Sequence, residues 1–270
     1  MTRTELKVRY KNSVLGFAWS LLNPILYLVV FYVAFDLILG AGIPAFPLFL
    51  LSGLLIWNLY SAGLGAATGS IVGNAGLLKK VSFPREILPL ATIGAALVHF
   101  FLQSFVLAGA LVIARWDIAW AFLPLLPLAL VALLLFTAGL GILLGSINVY
   151  LRDTAHFLEL ALLAWFWMTP IVYGFMTIGS RGGWGKYVYM LNPVTPIVLV
   201  FQRTLYNKLD TGARPGGSTL QKANVTAILP DWSFAKYLTY VGYTGFVGVV
   251  LAIVGLWVFG RLEANFAEEL

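Results

Sequence analysis

The chain has 270 residues, of which 60% are hydrophobic and only 10% are charged, and its formal net charge is +6 at pH 7. Roughly a quarter of the residues in an ordinary soluble domain are charged, so this composition excludes an ordinary soluble domain. The chain has no cysteine, which excludes disulfides, thiolate metal sites and a cysteine nucleophile. The apolar residues form several long runs, which predicts an all-α polytopic membrane protein with a single transmembrane domain over residues 1–270.

The N-terminal segment, residues 1–18, combines basic and apolar positions, and we expect it to form an amphipathic helix on the membrane surface. Leu6, Tyr10, Val14 and Phe17 fall on one stripe of a helix, and basic side chains flank that stripe. Charged and uncharged residues also alternate here, a period that by itself indicates a strand. A lone strand at a membrane surface would lack pairing partners, so the helix is the preferred interpretation.

Six apolar segments are long enough to cross the membrane, because about 20 helical residues span about 30 Å of hydrocarbon. Their approximate ranges are 20–40, 46–72, 87–114, 119–147, 157–178 and 236–260. Lysine and arginine residues concentrate in the flanks on one side, which places both termini in the cytoplasm. The long segment 179–235 is then extracytoplasmic. Its apolar stretch after Asn192-Pro193 is too short to cross, and we expect a re-entrant or interfacial helix there.

The loop between spans two and three, residues 75–86, interleaves apolar pairs with basic residues. Basic residues alone would indicate only an anchor on the cytoplasmic side. The apolar pairs, together with prolines at positions 84 and 89 that stiffen the exit, suit docking into a groove on a partner protein. The candidate contact residues are Leu77, Leu78, Lys79, Lys80, Val81, Phe83, Arg85 and Glu86.

Small residues recur at about four-residue spacing on three of the spans. This spacing lets neighbouring helices approach closely, so we expect plain helix packing and little direct role in binding. The positions are Ser61, Gly65, Gly69, Gly73, Gly141, Gly145, Gly245, Gly248, Ala252 and Gly255.

Aromatic residues are dense in spans one, two and five, where most suit an interfacial belt or lipid-facing packing. Trp165 and Trp167 lie near the middle of span five, where a belt does not account for them. Aromatic faces stack on sugar rings, so a carbohydrate conduit is the alternative hypothesis. Its candidate residues are Tyr27, Phe31, Tyr32, Trp57, Tyr60, Trp165, Trp167 and Tyr173.

Residues that support catalysis or ion coupling are few. His99 and His156 are the only histidines and lie on separate segments, so no metal site is indicated. The acidic residues near hydrocarbon, Asp36, Glu86 and Glu159, lie near span ends, whereas an ion-driven transporter usually needs ionisable groups at mid-membrane. The phosphate-binding pattern Gly-x-x-x-x-Gly-Lys-Ser/Thr does not occur in the sequence. If ATP drives this protein, another chain binds it.

Four blocks of sequence resemble one family. Residues 6–24, LKVRYKNSVLGFAWSLLNP, resemble the opening signature of permeases from polysaccharide-exporting ABC transporters, the O-antigen and teichoic-acid exporters of the type-2 permease superfamily. Residues 78–89 are similar to the cytoplasmic coupling segment of that family. Residues 150–156 and 169–173 resemble its fourth-loop and fifth-span pattern. Leu191-Asn192-Pro193 opens what would be its extracellular gating helices.

This resemblance implies an assembly in which two copies of the chain form a conduit and each copy docks a separate ATPase subunit through residues 77–86 and the N-terminal helix. ATP and Mg²⁺ would bind the ATPase, and this chain would be a non-catalytic subunit with no cofactor of its own. It would lie in a bacterial or archaeal cytoplasmic membrane among membrane lipids, with no nucleic-acid partner. The cargo would be a glycan linked to polyprenyl pyrophosphate, whose charge Lys7, Arg9 and Lys11 could meet.

The outer gate implied by the resemblance comprises Asn192, Pro193 and Pro196. Residues 207–232 depart from the compact members of the family as an insertion, which leaves the substrate open. One alternative is a drug or small-lipid exporter permease of the same superfamily. Another is a polyprenyl-dependent membrane glycosyltransferase or acyltransferase. An enzyme of that class should carry an acidic metal-binding pair or a histidine or aspartate base near a membrane face, and Arg152-Asp153 is a poor substitute.

Overall fold

The computed structural model describes part of the chain. The described part comprises Leu22, Ile25, Leu26, Val29, Val30 and residues 32–38, 43–78, 83–179, 185–210 and 227–269. The predicted surface helix of residues 1–18 and most of the first predicted span, 20–40, lie outside it. The described residues are nearly all helical, and their β-type pairing is an isolated bridge between Asp210 and Ala227.

Six helices of eight or more residues organise the described residues. They are α1 Phe46–Gly73, α2 Ile87–Ile113, α3 Leu125–Tyr150, α4 Asp153–Trp167, α5 Val194–Phe201 and α6 Phe234–Leu262. Shorter helical pieces are Tyr32–Ile38, Ala75–Leu78, Trp120–Phe122, Phe175–Gly179, Gly185–Leu191, Gln202–Tyr206, Glu263–Asn265 and Phe266–Glu269. Among the described residues, α1, α2, α3 and the helical run that contains α6 are long and apolar enough to cross a membrane.

Two predicted spans differ from the helices observed. The span predicted for 119–147 begins at Leu125, because Ala119 donates its backbone N–H to the carbonyl of Thr204 at 2.8 Å and a single short turn follows. The span predicted for 157–178 is divided. Helix α4 ends at Trp167, residues 168–174 are not helical, and Pro170 within them has no N–H to continue a helix.

Helices α3 and α6 approach each other almost backbone to backbone. A Cβ atom added at Gly248 would lie 2.6 Å from the backbone nitrogen of Phe136, and one at Gly255 would lie 2.7 Å from the carbonyl oxygen of Gly139. On the other side of α3, a Cβ at Gly145 would lie 3.1 Å from the carbonyl oxygen of Ala67 in α1. Small residues at these positions therefore allow the close packing that the sequence predicted.

The small residues of α1 behave differently. Apart from the backbone of α1 itself, no described atom lies within 4 Å of the place where a Cβ would stand at Gly65, Gly69 or Gly73. Most of the first predicted span lies outside the described residues, so the expectation that this row packs against a helix stays a prediction. The row faces outward because α2 and α3 cover the opposite side of α1, where Gly63 lies near Thr137 and Ala96.

The short helix α5 lies inside the bundle. All eight of its residues are buried, and it contacts α1, α3 and α6. Its place inside protein suits an apolar helix that is too short to cross a bilayer. The ends of the predicted insertion 207–232 also meet beside it. Ile228 donates its backbone N–H to the carbonyl of Leu209 at 2.7 Å, and residues 211–226 lie outside the described part.

Candidate coupling and conduit sites

The candidate sites lie at different depths of the bundle. At one end, the Tyr150 end, helices α1, α3 and α6 finish and α2 begins. At the opposite end α1, α3 and α6 begin and α2 finishes. The loop predicted to dock a partner lies at the Tyr150 end. Asn192 of the predicted outer gate lies about halfway along the bundle, beside Trp165, whose ring contacts Tyr60 and Phe136 near the middle of α1 and α3.

The docking loop, residues 75–86, is hereafter called the coupling segment. Its first part is the helical turn Ala75–Leu78, in which Leu77 is exposed and Leu78 packs against a buried cluster. That cluster consists of Ile71, Ile142, Val149, Phe259 and Phe266. Three predicted contact residues, Lys79, Lys80 and Val81, lie outside the described part, so their role stays a prediction.

The second part of the coupling segment lies against the end of α6. The guanidinium of Arg85 donates a hydrogen bond to the backbone carbonyl of Glu263. A cleft of about 430 Å³ opens between the two stretches of chain. Its lining residues are Phe83, Pro84, Arg85, Glu86, Glu263 and Ala264. The sequence identified Phe83, Arg85 and Glu86 as contact residues and Pro84 only as a residue that stiffens the loop. It did not reveal Glu263 and Ala264, since no local pattern connects positions 178 residues apart.

Three of the predicted conduit aromatics meet in one cluster inside the bundle. The ring of Tyr60 stacks on Phe136 at 5.7 Å and meets Trp57 and Trp165 edge-on at 5.7 and 5.4 Å. Tyr60 has no exposed surface and Trp57 is 8% exposed. In this arrangement the two side chains can support a conduit wall but offer little surface to a passing sugar.

Asn192 joins the aromatic cluster to the predicted gate. Its side-chain oxygen accepts hydrogen bonds from the indole N–H of Trp165 at 2.8 Å and from the backbone N–H of Val194 at 3.0 Å. Its amide group donates to the hydroxyl of Thr169 at 2.9 Å. The carbonyl of the next residue, Pro193, accepts from the hydroxyl of Thr244 in α6 at 2.7 Å. Asn192 thus fastens the start of α5 to the end of α4.

The remaining gate and conduit candidates differ in exposure. Pro196 is buried in α5. Tyr173 lies in the non-helical stretch after α4 and donates its hydroxyl to the carbonyl of Trp167 at 2.5 Å. Trp167 itself is 50% exposed, and Tyr32 is partly exposed. The candidates outside the described part are Tyr27, Phe31, Lys7, Arg9 and Lys11.

Helix α4 and the uncovered row of α1 form one side of the described bundle. Only Leu158 of α4 is buried, and the helix contacts α1 and α3 with its other side. Its apolar residues Phe157, Leu160 and Leu163 are largely exposed. Gly65 and Gly69 of α1 were predicted from the sequence only as packing positions. A small-residue row cannot by itself reveal whether its partner belongs to the same chain.

Comparison with known proteins gives matches over most or all of the chain. The sequence profile of the family described as "ABC-2 type transporter" matches residues 1–206. The "O-antigen export system permease protein RfbA" of Klebsiella pneumoniae is 28% identical over 270 residues, which are 100% of this chain and 93% of that protein. The protein of the same description from Myxococcus xanthus is 32% identical over 216 residues, 80% of this chain and 82% of that protein.

A shorter match covers about a third of each chain. The "Polysialic acid transport protein KpsM" of Escherichia coli is 31% identical over 91 residues, which are 33% of this chain and 34% of that protein. The family profile extends from the first residue through α5, so it includes the coupling segment, the aromatic cluster and Asn192. With its multi-pass apolar helices, the chain belongs to the ABC-2 type transporter family.

Proposed function

We propose that this chain is the permease subunit of an ATP-driven exporter that moves a polysaccharide, linked to polyprenyl pyrophosphate, across the cytoplasmic membrane. The observation that carries the proposal is similarity along the whole chain to a protein named for O-antigen export. The chain supplies the membrane path, and a separate ATPase subunit binds ATP and Mg²⁺.

The assembly contains two copies of the chain and two ATPase subunits. The described helices of one copy pack around a continuous buried apolar core, and α5 fills the space between Asn192 and the end of the bundle opposite Tyr150. A path wide enough for a glycan therefore runs along an outer side of the copy. The side formed by α4 and the Gly65–Gly69 row of α1 suits this role, since it is apolar, largely uncovered and lined partly by small residues.

Four described helices are long enough to cross a membrane. The first predicted span, 20–40, and the divided segment 153–179 bring the number of spans to six. Helix α4 has 15 residues and is about 22 Å long, which is shorter than the hydrocarbon core. The non-helical residues 168–174 and the helix Phe175–Gly179 extend it. Both termini are then cytoplasmic, the coupling segment faces the ATPase, and the end of the bundle opposite Tyr150 faces outward.

The surface for sugar rings is provided by exposed aromatic side chains rather than by the whole predicted set. Trp167 is half exposed on the uncovered side. The indole N–H of Trp165 donates to the side chain of Asn192, so Trp165 supports the wall of the conduit rather than its surface. Stacking on aromatic faces tolerates different sugars, which suits passage of a long polymer. Lys7, Arg9 and Lys11 meet the pyrophosphate at the inner surface in this proposal.

The experiment that tests the proposal measures surface glycan after deletion of the gene and after its return on a plasmid. We expect deletion to leave the lipid-linked glycan on the cytoplasmic side, inaccessible to lectin or antibody added outside intact cells. The tagged chain should co-purify with an ATPase subunit from detergent-solubilised membranes. Unchanged surface glycan in the deletion strain would reject polysaccharide as the cargo.

A further inference from the structure

The C-terminal end of α6 is held by side chains from two other parts of the chain. The hydroxyl of Tyr150, the last residue of α3, donates to the carbonyl of Leu262 at 3.0 Å. The guanidinium of Arg85 donates to the carbonyl of Glu263. The last carbonyls of a helix have no partner within it, and a cation there also complements the helix dipole.

Phe266 anchors the residues that follow α6. Its side chain is fully buried, with its ring edge-on to Phe259 at 5.3 Å and tilted against Tyr150 at 6.2 Å. Leu78 of the coupling segment and Leu262 pack against the same cluster. Residues Leu262–Phe266, which we name the terminal brace, are therefore fixed to both α3 and the coupling segment.

These contacts attach the coupling segment to α6 at both of its described parts. Leu78 joins it through apolar packing, and Arg85 joins it through a hydrogen bond from a charged donor. Helix α6 in turn packs on α3 with almost no intervening side chain, as the position of Gly248 against Phe136 shows. A displacement of the coupling segment cannot occur without moving this pair or breaking the contacts.

We propose that the terminal brace transmits displacement of the coupling segment to the α3–α6 pair during ATP-driven export. Tyr150, Arg85 and Phe266 are then positioning residues for coupling, and the contribution of Glu263 is its backbone carbonyl. The inference rests on the proposed function, because it requires an ATPase docked at the coupling segment. It adds a route to α6, in addition to the direct connection of the coupling segment with α1 and α2.

Two other roles for Arg85 make different predictions. If Arg85 contacts the ATPase directly, its loss should release the ATPase, and variants of Phe266 should not. If Arg85 only caps a helix, its loss should lower thermal stability and leave coupling unchanged in the protein that remains folded. If the terminal brace transmits displacement, the loss of Arg85 and the loss of Phe266 should impair the same step, which is the transfer of movement from the coupling segment to the α3–α6 pair.

The test uses the full chain, co-purified with its ATPase, in four variants: Arg85→Gln, Tyr150→Phe, Phe266→Ala and the double variant Arg85→Gln/Phe266→Ala. Three quantities are measured for each: ATPase bound per permease, ATP hydrolysis by the purified complex, and surface glycan per permease in the membrane. We expect each single variant to retain the ATPase. Arg85→Gln should lower surface glycan roughly tenfold, the change expected for loss of one hydrogen bond from a charged donor.

The double variant should be no worse than the more severe single variant, because both substitutions break one connection. Tyr150→Phe removes only the hydroxyl, so it gives a folded variant if Phe266→Ala fails to insert. Arg85→Lys keeps the positive charge and an N–H donor group, so this variant should export more glycan than Arg85→Gln. Arg261→Gln is the matched control, since Arg261 is an exposed arginine in the last turn of α6 whose guanidinium lies over the ring of Trp257, and it should leave export unchanged.

Several outcomes would overturn the inference and separate it from the proposed function. Loss of bound ATPase in Arg85→Gln but not in Phe266→Ala would assign Arg85 to direct docking and reject the brace. Normal export per folded permease in both variants would reduce the contacts to helix capping. If no ATPase accompanies even the unaltered chain, the proposed function fails, and the inference fails with it.

Discussion

At the scale of single residues, the structure gives the predicted site residues unequal roles. Asn192 uses both its oxygen and its amide group in hydrogen bonds, whereas Asn58 in α1 makes a hydrogen bond to Gln103 at 3.3 Å. Trp165 is tied to Asn192, and Trp167, two residues later, is half exposed. The two tryptophans therefore have roles that experiment can separate, Trp165 as a packed supporting residue and Trp167 as a surface residue.

Asn192→Ala should lower the free energy of unfolding by about 1–3 kcal/mol, because it leaves the indole of Trp165 and the backbone N–H of Val194 without their acceptor. The midpoint of thermal unfolding of the detergent-purified chain, followed by tryptophan fluorescence, measures the change. Asn58→Ala is the control and should have a smaller effect. An equal loss in both variants would contradict the role of Asn192 as a junction.

Trp167→Ala should reduce export while changing the free energy of unfolding by no more than about 0.5 kcal/mol, as is usual for an exposed side chain. Trp165→Ala should instead destabilise the fold by about 3–5 kcal/mol, since it removes a packed ring and a hydrogen bond. Surface glycan per permease and thermal unfolding are measured together. Normal export by Trp167→Ala would remove Trp167 from the proposed conduit.

At the scale of helices, small residues have two distinct uses in this protein. On α3 and α6 they allow backbone contact within one copy, and the space beside Gly248 is already filled by Phe136. On α1 they form the row of Gly65, Gly69 and Gly73, which no other described residue covers. Helix α4 follows the same division, since one side contacts α1 and α3 and the other side exposes Leu160 and Leu163.

Gly248→Ala should destabilise the chain by about 1–3 kcal/mol, because the added methyl group would overlap the backbone of α3. Gly65→Ala lies in the interior of α1 with open space beside it, and it should leave stability unchanged or raise it by up to about 1 kcal/mol through higher helix propensity. Thermal unfolding of the two purified variants compares them directly. A similar loss of stability in both would show that the row of α1 is covered.

At the scale of the whole molecule, the side of α1 and α4 that no other described residue covers is the candidate contact between copies in the proposed assembly. Transmembrane helices associate through close packing at small residues, and the row of α1 offers such a surface next to the exposed apolar residues of α4. In the proposed assembly this side meets the same side of a second copy around the glycan path. The other exposed residues, such as Phe246 on α6, face lipid.

A single cysteine at position 163 should form a disulfide-linked dimer on mild oxidation of membranes. The natural chain has no cysteine, so Leu163→Cys produces no background cross-links. Phe246→Cys is the matched control, because it is equally apolar and exposed but lies on α6. Non-reducing electrophoresis measures the fraction of dimer. Equal cross-linking at the two positions would contradict the proposed arrangement of the copies.

The candidate site at the Tyr150 end could be predicted only in part. Leu78 and Arg85 stand in a short loop whose alternation of apolar and basic residues is visible in the sequence. Their partners Phe266 and Glu263 are about 180 to 190 residues away and follow the predicted end of the last span. No local period connects such positions, because they come together only when the end of α6 packs beside the connection between α1 and α2.

The membrane class, the helical fold and the long apolar helices α1, α2, α3 and α6 could be predicted from the sequence, although α3 begins later than predicted. The reason is that the thickness of the hydrocarbon core fixes how many apolar residues a span needs. The packing of the folded chain shows that Tyr60 is buried, that the indole of Trp165 is bound to Asn192, and that no other described residue covers the row of Gly65. Hydropathy is the same for a residue that faces lipid, another helix or a second copy, so packing alone distinguishes them.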